Sequence, residues 1–244
     1  MSDFFSTLLD ELPQVGAGLW VTVQATVLGS LLALLLSFTL GLAAGSRLLL
    51  VRGVSRTVVE FFRGTSLYIQ LFWLYYAMPQ LTGYELTPLL CGVVAFGLNY
   101  GAYGSEIVRG AINSVPRAQY EAAVALNMTP LHRMRKVIMP QAWVQMIPSF
   151  TNLLIQLLKC TPLLWLISAA DFMTTIEHIR SLTGETLTAY LLLLAVYFVL
   201  AYTLTLLMNL LERSAKRRLG LHTGGRSLFR TRTAEAVTTA GGTR

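Results

Sequence analysis

The chain has 244 residues, of which 54% are hydrophobic and only 13% are charged. Soluble globular domains carry about 25% charged residues, so this composition excludes an ordinary soluble domain. The net charge of +7 would indicate an acidic partner or nucleic acid in a soluble protein. In a membrane protein the same excess reports orientation, because Lys and Arg are retained in cytoplasmic loops. The two cysteines, Cys91 and Cys160, indicate neither a disulfide framework nor a metal site.

Long apolar runs without charged residues predict five membrane-spanning helices. A helix needs about 20 residues to cross the hydrocarbon core, and an open strand would leave backbone groups unpaired in lipid. In chain order, the predicted spans are 19–46, 64–84, 86–105, 137–158 and 186–211. The start of the fourth span is open. Because apolar sequence continues past Lys159 to Ala170, this span begins either near Trp143 or near Pro148, and in the second case it runs to Ile167.

The segments outside these spans also carry helical patterns. Residues 1–18 form an N-terminal segment in which apolar residues at helical spacing predict a short helix on the membrane surface: Phe4, Phe5, Leu8, Leu9 and Leu12. Residues 171–185 form a polar connection with some helical character. Between spans three and four, residues 109–140 form a connection far longer than two adjacent helices require. In it, Ser114 and Pro116 predict the start of a helix over 117–128, Thr129 and Pro130 break it, and a second helical stretch follows over 131–139.

The positions of the basic residues predict the orientation. Of the 19 Lys and Arg residues, all but Lys159 and Arg180 lie within residues 47–63, 109–136 or 213–244. With five spans these three segments fall on one side of the membrane, which the positive-inside rule assigns to the cytoplasm. The N-terminus is therefore expected outside and the C-terminus inside. The basic tail, residues 219–244, is rich in Gly, Thr and Arg and is predicted to be disordered.

The residues that enzyme chemistry requires do not form a recognisable pattern. None of the lysines follows a glycine, so the chain has no phosphate-binding P-loop. The three histidines are scattered over different segments, and neither HExxH nor GxSxG occurs, so we predict no catalytic residues and no metal site. These observations favour transport over bond cleavage.

Five stretches resemble the permease subunits of ABC importers, and they narrow the resemblance to the polar amino-acid (histidine/glutamine/arginine) type. Glu121, Ala122, Ala123, Leu126, Asn127 and Pro140 are similar to the EAA loop of these permeases. Residues 60–72, EFFRGTSLYIQLF, resemble the RGT-x-L-x-x-Q motif, and Asn99-Tyr100-Gly101-Ala102-Tyr103 with Glu106 and Arg109 resembles the third-span signature. Lys159-Cys160-Thr161-Pro162-Leu163 resembles the K-x-T-S-L stretch, and Leu211-Glu212-Arg213 matches the usual end of the last span.

The resemblance implies an all-α integral membrane protein with the type I ABC-importer permease fold, spanning residues 19–218, in the bacterial cytoplasmic (inner) membrane. Two ATPase subunits, which use ATP and Mg, would receive the loop around Glu121. A second permease subunit or a copy of this chain would complete the pathway, and an extracytoplasmic binding protein would deliver the solute. This chain itself would bind no cofactor. Three residues depart from the pattern: Asn127 replaces the loop glycine but tolerates the left-handed conformation, Pro162 replaces a serine and is expected to kink the fourth span, and Ala118 replaces a glycine.

Candidates for the solute path come from the same motifs: Lys159, Thr161, Gln70, Asn99, Tyr100, Tyr103 and Arg63. A charge within the membrane is a functional hypothesis by default, so Lys159 lines the path or forms a structural pair with Glu60 or Glu106. Arg63 is either a cytoplasmic anchor or a gate or carboxylate-binding group. The polar side chains either line the path or bond neighbouring helices. For Gly97 and Gly101, at GxxxG spacing and followed by Gly104, close helix packing is the simpler interpretation.

Three other functions stay open on the sequence. Polar amino acids are the leading substrate class, but closely similar permeases carry compatible solutes such as ectoine. An ATP-independent channel or secondary transporter would carry coupling charges in several spans and would not need a long docking loop. An integral-membrane enzyme would need a catalytic constellation that the sequence does not offer.

Overall fold

The structure, a computed structural model, describes residues 2–46 and 48–218, and within these ranges every regular element is a helix. The basic tail predicted over 219–244 lies outside the described residues. In chain order the elements are α1 (Ser2–Asp10), α2 (Leu12–Ala44), α3 (Leu49–Gly64), α4 (Leu67–Phe72), a π-helical segment (Trp73–Ala77), α5 (Met78–Thr82), α6 (Pro88–Asn113), α7 (Arg117–Ala125), α8 (Pro130–Arg133), a second π-helical segment (Met134–Ile138), α9 (Met139–Cys160), a 3-10 segment (Thr161–Ile167), α10 (Phe172–Thr183) and α11 (Thr186–Arg218).

The centre of the fold is the close packing of α2 against α6. Small residues recur every four positions along α2, at Gly29, Ala33, Ser37 and Gly41, and all four are buried. A Cβ atom at Gly101 of α6 would lie 2.7 Å from the Leu36 Cβ atom. The backbones of α2 and α6 therefore approach so closely at this point that a side chain on residue 101 would not fit. At Gly97 and Gly104 of α6 an added Cβ atom would likewise collide with α2 side chains. The packing interpretation of this glycine motif is confirmed.

The segment predicted as the second span, residues 64–84, forms a helix that is shorter than predicted and follows a separate helix, α3. Residues 49–64 form α3, which was expected to be only a connection, and its apolar and charged residues fall on different faces. A sharp turn at Thr65 and Ser66 follows, and a continuous helix then runs from Leu67 to Thr82 through the first π-helical segment. The second span is thus a helix of about 24 Å, shorter than predicted, because the chain turns after Gly64.

The fourth predicted span belongs to one continuous helical rod from Pro130 to Ile167. Pro140 lies in the first turn of α9, where its missing N–H costs little, and a π-helical segment precedes it. The predicted kink at Pro162 is a change of helix type, because α9 ends at Cys160 and the 3-10 segment starts at Thr161. Neither Trp143 nor Pro148 begins a helix, since both lie inside α9.

A second, smaller cluster joins α1, α10 and α11. Phe4 and Phe172 are almost completely buried there, with Ile176 and Ile179 beside them. The predicted N-terminal helix therefore forms, but Phe4 packs inside the protein, and α2 starts at Leu12, seven residues before the predicted first span. The predicted helical character of 171–185 is confirmed by α10, whose first turn is capped by the Asp171 carboxylate.

Three of the five predicted spans are long and apolar enough to cross a bilayer by length and composition. They belong to the helical stretches Leu12–Ala44, Pro130–Ile167 and Thr186–Ser214. The other two correspond to the helix over 67–82 and to α6. The first is short, and the second is a mostly buried helix that carries five glycines and the Glu106–Arg109 pair. The glycines that let α6 pack closely against α2 therefore lower its mean hydropathy.

Candidate solute pathway and coupling loop

A polar cavity of about 460 Å³ lies between the turn before α4, the middle of α6 and the end of α9. It contains four of the predicted path residues: Asn99, Tyr100, Tyr103 and Lys159. The residues that sequence reasoning missed are Thr65, Ser66, Leu67, Tyr68, Gln156, Cys160 and Leu163. A helical stripe along α9 and the 3-10 segment after it would have identified three of them, because Gln156, Lys159 or Cys160, and Leu163 follow one another at spacings of three and four residues.

Lys159 carries the charge of this cavity. Its side chain is exposed near the end of α9, and among the described residues no carboxylate lies within 4.0 Å of its ammonium group. Glu106 instead binds Arg109, with Oε2 accepting from Nε at 3.0 Å. Glu60 lies 3.7 Å from Arg63. The two carboxylates proposed as structural partners of Lys159 are thus paired with arginines one helical turn away.

Side chains from two helices, α4 and α6, fix the turn that forms one wall of the cavity. The last carbonyl groups of α3 have no partner within the helix and need external donors. Asn99 Nδ2 donates to the Phe62 oxygen at 3.0 Å, and the Tyr103 hydroxyl donates to the Arg63 oxygen at 3.2 Å. Gln70 Nε2 donates to the Phe62 oxygen at 3.1 Å and to Thr65 Oγ1 at 2.7 Å. The RGT motif is therefore held in a defined shape by residues of α4 and α6.

Two predicted path residues do not reach the cavity. Gln70 is buried, and its amide group donates hydrogen bonds to the turn after α3. Thr161 is fully buried, donates its hydroxyl to the Leu158 oxygen at 2.8 Å, and lies 3.4 Å from the Tyr197 hydroxyl. The bonds of Gln70 and the Thr161–Tyr197 contact join separate helices, the alternative that the sequence left open, whereas the bond of Thr161 to Leu158 lies within one helical rod.

Arg63 is near the cavity without lining it. Its guanidinium lies 5.4 Å from the centre of the Tyr103 ring, at a distance suited to a cation–π contact, and one side of it faces Glu60. Its Nε atom is buried without a hydrogen-bond partner among the described residues. The contacts place Arg63 at the junction of α3 and α6, where it supports Tyr103 in the cavity wall.

The long connection between α6 and α9 presents a short exposed helix, α7. Glu121, Ala122, Leu126 and Asn127 are exposed, whereas Ala123 is buried against the second π-helical segment. Pro140, the last predicted coupling residue, is half-buried at the start of α9. The face of α7 carrying Glu121 and Ala122 is thus open to a partner, and Ala123 holds the helix to its own loop.

Asn127 ends α7 in the left-handed conformation, with φ at 53°. The Met128 amide donates to the Ala123 oxygen at 3.0 Å, and the Asn127 amide donates to the Val124 oxygen at 2.9 Å. This is the Schellman arrangement, in which glycine is the usual left-handed residue. The prediction that asparagine preserves this turn is confirmed, and α7 ends at Ala125 for that reason, before the predicted limit of residue 128.

Residues 37–217 match the family described as the binding-protein-dependent transport system inner membrane component. The chain belongs to this family. The matched region contains the polar cavity, α7 and the whole of α9, so the geometry described above lies within the family's shared domain. The permease is accordingly an inner-membrane component of a binding-protein-dependent importer, and the channel, secondary-transporter and membrane-enzyme alternatives no longer apply.

Relatives with known names agree with this assignment. The permease is 42% identical over 213 residues to the Probable amino-acid ABC transporter permease protein y4tF of Sinorhizobium fredii (strain NBRC 101917 / NGR234), covering 85% of this chain and 90% of the relative. It is 34% identical to the L-cystine transport system permease protein TcyB of Bacillus subtilis (strain 168), covering 84% and 88%. It is 32% identical to the arginine transport system permease protein ArtQ of the same organism, covering 87% and 97%.

Solved structures share the fold. An amino acid ABC transporter crystallised with histidines matches 86% of this chain and 98% of its own, with a TM-score of 0.79 and 32% identity. The MetNI methionine ABC transporter in an inward-facing conformation matches with a TM-score of 0.69 and 18% identity, covering 84% and 98%, which supports the fold alone. The permease therefore has the type I ABC-importer fold that the sequence predicted.

Proposed function

We propose that the permease forms half of a translocation pathway for polar amino acids or related small zwitterions. The observation that carries the proposal is the polar cavity, where an unpaired ammonium group stands beside amide and hydroxyl groups within a largely apolar helical protein. A zwitterion needs both charged and neutral hydrogen-bonding partners to leave water, because burial of unpaired polar groups is costly. The relatives named for amino-acid, L-cystine and arginine transport support the same substrate class.

The proposed topology has five spans, with the N-terminus outside and the C-terminus in the cytoplasm. The helices over 12–44, 67–82, 88–113, 130–167 and 186–218 would be these spans. Their connections would then place α3 and α7 on the cytoplasmic side, together with the basic residues of 47–63 and 109–136. The connection over 83–87 and helix α10 would lie outside.

The proposed assembly contains two ATPase subunits and a second permease subunit or a copy of this chain. The exposed face of α7 around Glu121 would dock on an ATPase, and closure of the two ATPases would move the loop and open the pathway. ATP and Mg would bind to the ATPases alone, with hydrolysis separate from this chain, which would hold no cofactor or metal. An extracytoplasmic binding protein would deliver the solute to the open side.

Charge reversal at Glu121 tests the docking site. We expect Glu121→Lys to reduce co-purification of the ATPase and to abolish ATP hydrolysis stimulated by the binding protein. The reason is that an ATPase surface complementary to a carboxylate would repel the positive charge of a lysine at the same position. Glu85→Lys makes the same charge change in an exposed position of the α5–α6 connection, on the proposed outer side, and should leave co-purification of the ATPase unchanged. Intact assembly and stimulated hydrolysis in Glu121→Lys would refute the coupling assignment.

Uptake by proteoliposomes tests the pathway. Lys159→Met is expected to reduce uptake of a polar amino acid while the ATPase still co-purifies, because the variant removes the cavity's charge and leaves α7 intact. Normal uptake by Lys159→Met would exclude a required role for the ammonium group. Competition by excess ectoine, with no competition by polar amino acids, would assign the permease to compatible solutes instead.

A further inference from the structure

A second cavity of the protein is an apolar groove between α2, α9 and α11. Its volume is about 730 Å³, within the range of pockets that hold small molecules. On α9 it follows one face of the helix from Met139 to Leu154, and on α11 it runs from Met208 to Ser214. Among the described residues that line it, none is charged and Ser214 alone has a hydroxyl group. The groove therefore offers an apolar ligand about 22 Å of surface along α9.

Buried side chains and stacked rings give the groove a preformed floor. Met146 and Phe150 are buried there. The Phe38 ring of α2 stacks on two rings of α9, with its centre 5.5 Å from that of Trp143 and 6.0 Å from that of Phe150. At the rim, Trp143 and Leu211 are 44% and 60% exposed. The floor is thus fixed by packing while the rim is open, so a ligand could enter with little reorganisation of the protein.

The groove and the polar cavity lie on opposite faces of α9. Phe150 lines the groove, and Lys159 lines the polar cavity. These residues are nine positions apart in one helix, which is about two and a half turns at 3.6 residues per turn. A second permease subunit that completes the pathway would meet the polar cavity. Under the proposed function, the groove therefore faces the lipid.

Basic residues surround the end of the groove that the proposed topology places at the cytoplasmic surface. Arg135 and Lys136 are exposed and come four residues, about one helical turn, before the first groove residues of α9. On α11, Arg213 is exposed at the same end of the groove, and Glu212 is the acidic residue nearest to it in the sequence. The sequence of α11 then continues with three more basic residues: Lys216, Arg217 and Arg218. An apolar groove with a basic mouth matches a ligand that has an apolar chain and an anionic head.

We propose that the apolar groove binds an anionic phospholipid of the cytoplasmic leaflet, with an acyl chain in the groove and the phosphate group near Arg135, Lys136 and Arg213. The inference rests on the proposed function and its topology. Anionic lipids are found in this leaflet, and basic pockets between membrane helices on the cytoplasmic side recognise their headgroups. A second copy of this chain is a poorer occupant, because its own basic segments, 47–63 and 109–136, would bring like charges to the mouth of the groove.

Photo-crosslinking with lipid probes tests the occupant. The permease–ATPase complex would be placed in phosphatidylcholine nanodiscs that contain a trace of phosphatidylglycerol with a diazirine on one acyl chain. A phosphatidylcholine probe with the same chains is the matched control, and mass spectrometry would locate the labelled residues. Labelling of three exposed residues in the first half of α11 serves as the reference for general lipid contact: Leu191, Leu194 and Phe198.

We expect the phosphatidylglycerol probe to label the groove residues of α9 about fivefold more than the phosphatidylcholine probe, relative to the reference residues. Arg135→Gln combined with Lys136→Gln should lower this preference about threefold or more. Arg52→Gln combined with Arg56→Gln removes two basic residues of α3 and should leave it unchanged. Equal normalised labelling by the two probes in the parent protein, or a preference insensitive to the change at Arg135 and Lys136, would overturn the proposal.

A larger side chain in the groove gives a second test. Leu211→Trp should reduce labelling of α9 by both probes, because the indole would occupy the groove. Leu210→Trp is the control, since Leu210 does not line the groove, and the parent side chains at 211 and 210 are similarly exposed, at 60% and 58%. Undiminished labelling in Leu211→Trp would place the lipid outside the groove and overturn the proposal.

The same labelling separates this inference from the proposed function. If the groove is unlabelled by either probe while the reference residues are labelled, another protein covers the groove. That result would overturn both the lipid site and the placement of the second permease on the opposite face of α9. Equal labelling by the two probes together with normal amino-acid uptake would overturn the lipid preference alone and leave the proposed function intact.

Discussion

At the residue scale, the backbone oxygen of Phe62 shows how a motif that resembles a binding site can be structural. It receives amide donors from Gln70 at 3.1 Å and from Asn99 at 3.0 Å. Gln70 is buried away from the cavity, whereas Asn99 lines it. Gln70 therefore stabilises only the turn that forms the wall, whereas Asn99 donates to the same oxygen and also lines the cavity.

This difference predicts a stability effect without an affinity effect for Gln70. Gln70→Leu should lower the free energy of unfolding by about 1–3 kcal/mol, because donors to Phe62 and Thr65 are lost in a buried site. Unfolding by SDS in mixed micelles would measure this. Gln80→Leu, on the exposed face of α5, is the control and should change stability by about 0.5 kcal/mol or less. A weakened solute affinity in folded Gln70→Leu would contradict the assignment.

Asp171 carries a buried carboxyl group in the connection before α10. Its Oδ1 accepts from the Thr174 amide at 3.0 Å and from the Thr174 hydroxyl at 2.7 Å, while Oδ2 is buried without a partner among the described residues. Burial raises the pKa of this carboxyl above its ordinary value, despite the bonds from Thr174 that lower it. The folded state therefore binds this proton more tightly than the unfolded chain does.

The sign of the pH dependence follows from that shift. The contribution of Asp171 to stability is fully present below the ordinary pKa of an aspartate, about 3.9, and is lost as the pH rises through the raised folded pKa. Asp171→Asn keeps an oxygen acceptor for the α10 cap, so it should be at least as stable as the parent at pH 8, with that advantage shrinking toward pH 4. Thermal unfolding at both pH values, with exposed Asp10→Asn as control, checks this. A lower stability of Asp171→Asn at pH 8 would show that the charge is favourable.

At the element scale, local patterns predicted the helices well where the decisive contacts are local. The start of α7, its left-handed end at Asn127 and the helix after Asp171 all follow from capping and turn preferences within a few residues. The bend at Thr65, which delays the start of the second span to Leu67, did not follow from them, because that turn is held by Asn99 and Tyr103 from α6. A count of uncharged residues cannot detect such a tertiary contact.

The site was predicted in part for the same reason. Motif residues on the face of α6 toward the cavity, Asn99, Tyr100 and Tyr103, were placed in the pathway and do line the cavity. Gln70 and Thr161 belong to equally recognisable motifs but point into helix contacts. The motifs mark positions, and which helix face meets the cavity is decided only by packing.

The packing of α2 on α6 predicts a matched pair of glycine substitutions. Gly101→Ala would place a Cβ atom 2.7 Å from the Leu36 Cβ atom and 3.4 Å from the Ala33 oxygen, neither of which can rotate away. We expect a loss of about 1–3 kcal/mol in the free energy of unfolding from this overpacking. Gly110→Ala, on the same helix with no neighbour within 4 Å, should be neutral or should stabilise by up to about 1 kcal/mol.

Unfolding by SDS, measured for both glycine variants, separates the effect of the α2–α6 contact on stability from the effect of helix propensity. Both substitutions replace glycine with alanine in α6, so their propensity terms are similar. Equal stabilities would mean that α2 yields to the extra methyl group, and the close approach would then have no energetic role.

At the scale of the whole molecule, the uneven distribution of charge is related to the way the helices are connected. Under the proposed topology, all basic residues except Lys159 and Arg180 lie on the side of α3, α7 and the C-terminus. The opposite side carries Asp171, Glu177, Glu185 and the acidic N-terminal residues, with Arg180 bound to Glu177 at 2.8 Å. With this proposed topology, the net +7 would reflect orientation across a membrane, and Lys159 is the basic residue assigned to the proposed pathway.

Cysteine accessibility tests this topology in intact cells. In a background with Cys91→Ser and Cys160→Ser, Tyr84→Cys would place a thiol in the α5–α6 connection, where the parent side chain is 75% exposed, and Leu131→Cys would place one at the start of α8, where it is 69% exposed. A membrane-impermeant maleimide should label Tyr84→Cys in spheroplasts and Leu131→Cys only after permeabilisation, because the positive-inside rule puts α8 with its neighbouring basic residues in the cytoplasm. Labelling of both thiols before permeabilisation, or of Leu131→Cys alone, would be incompatible with this arrangement of spans.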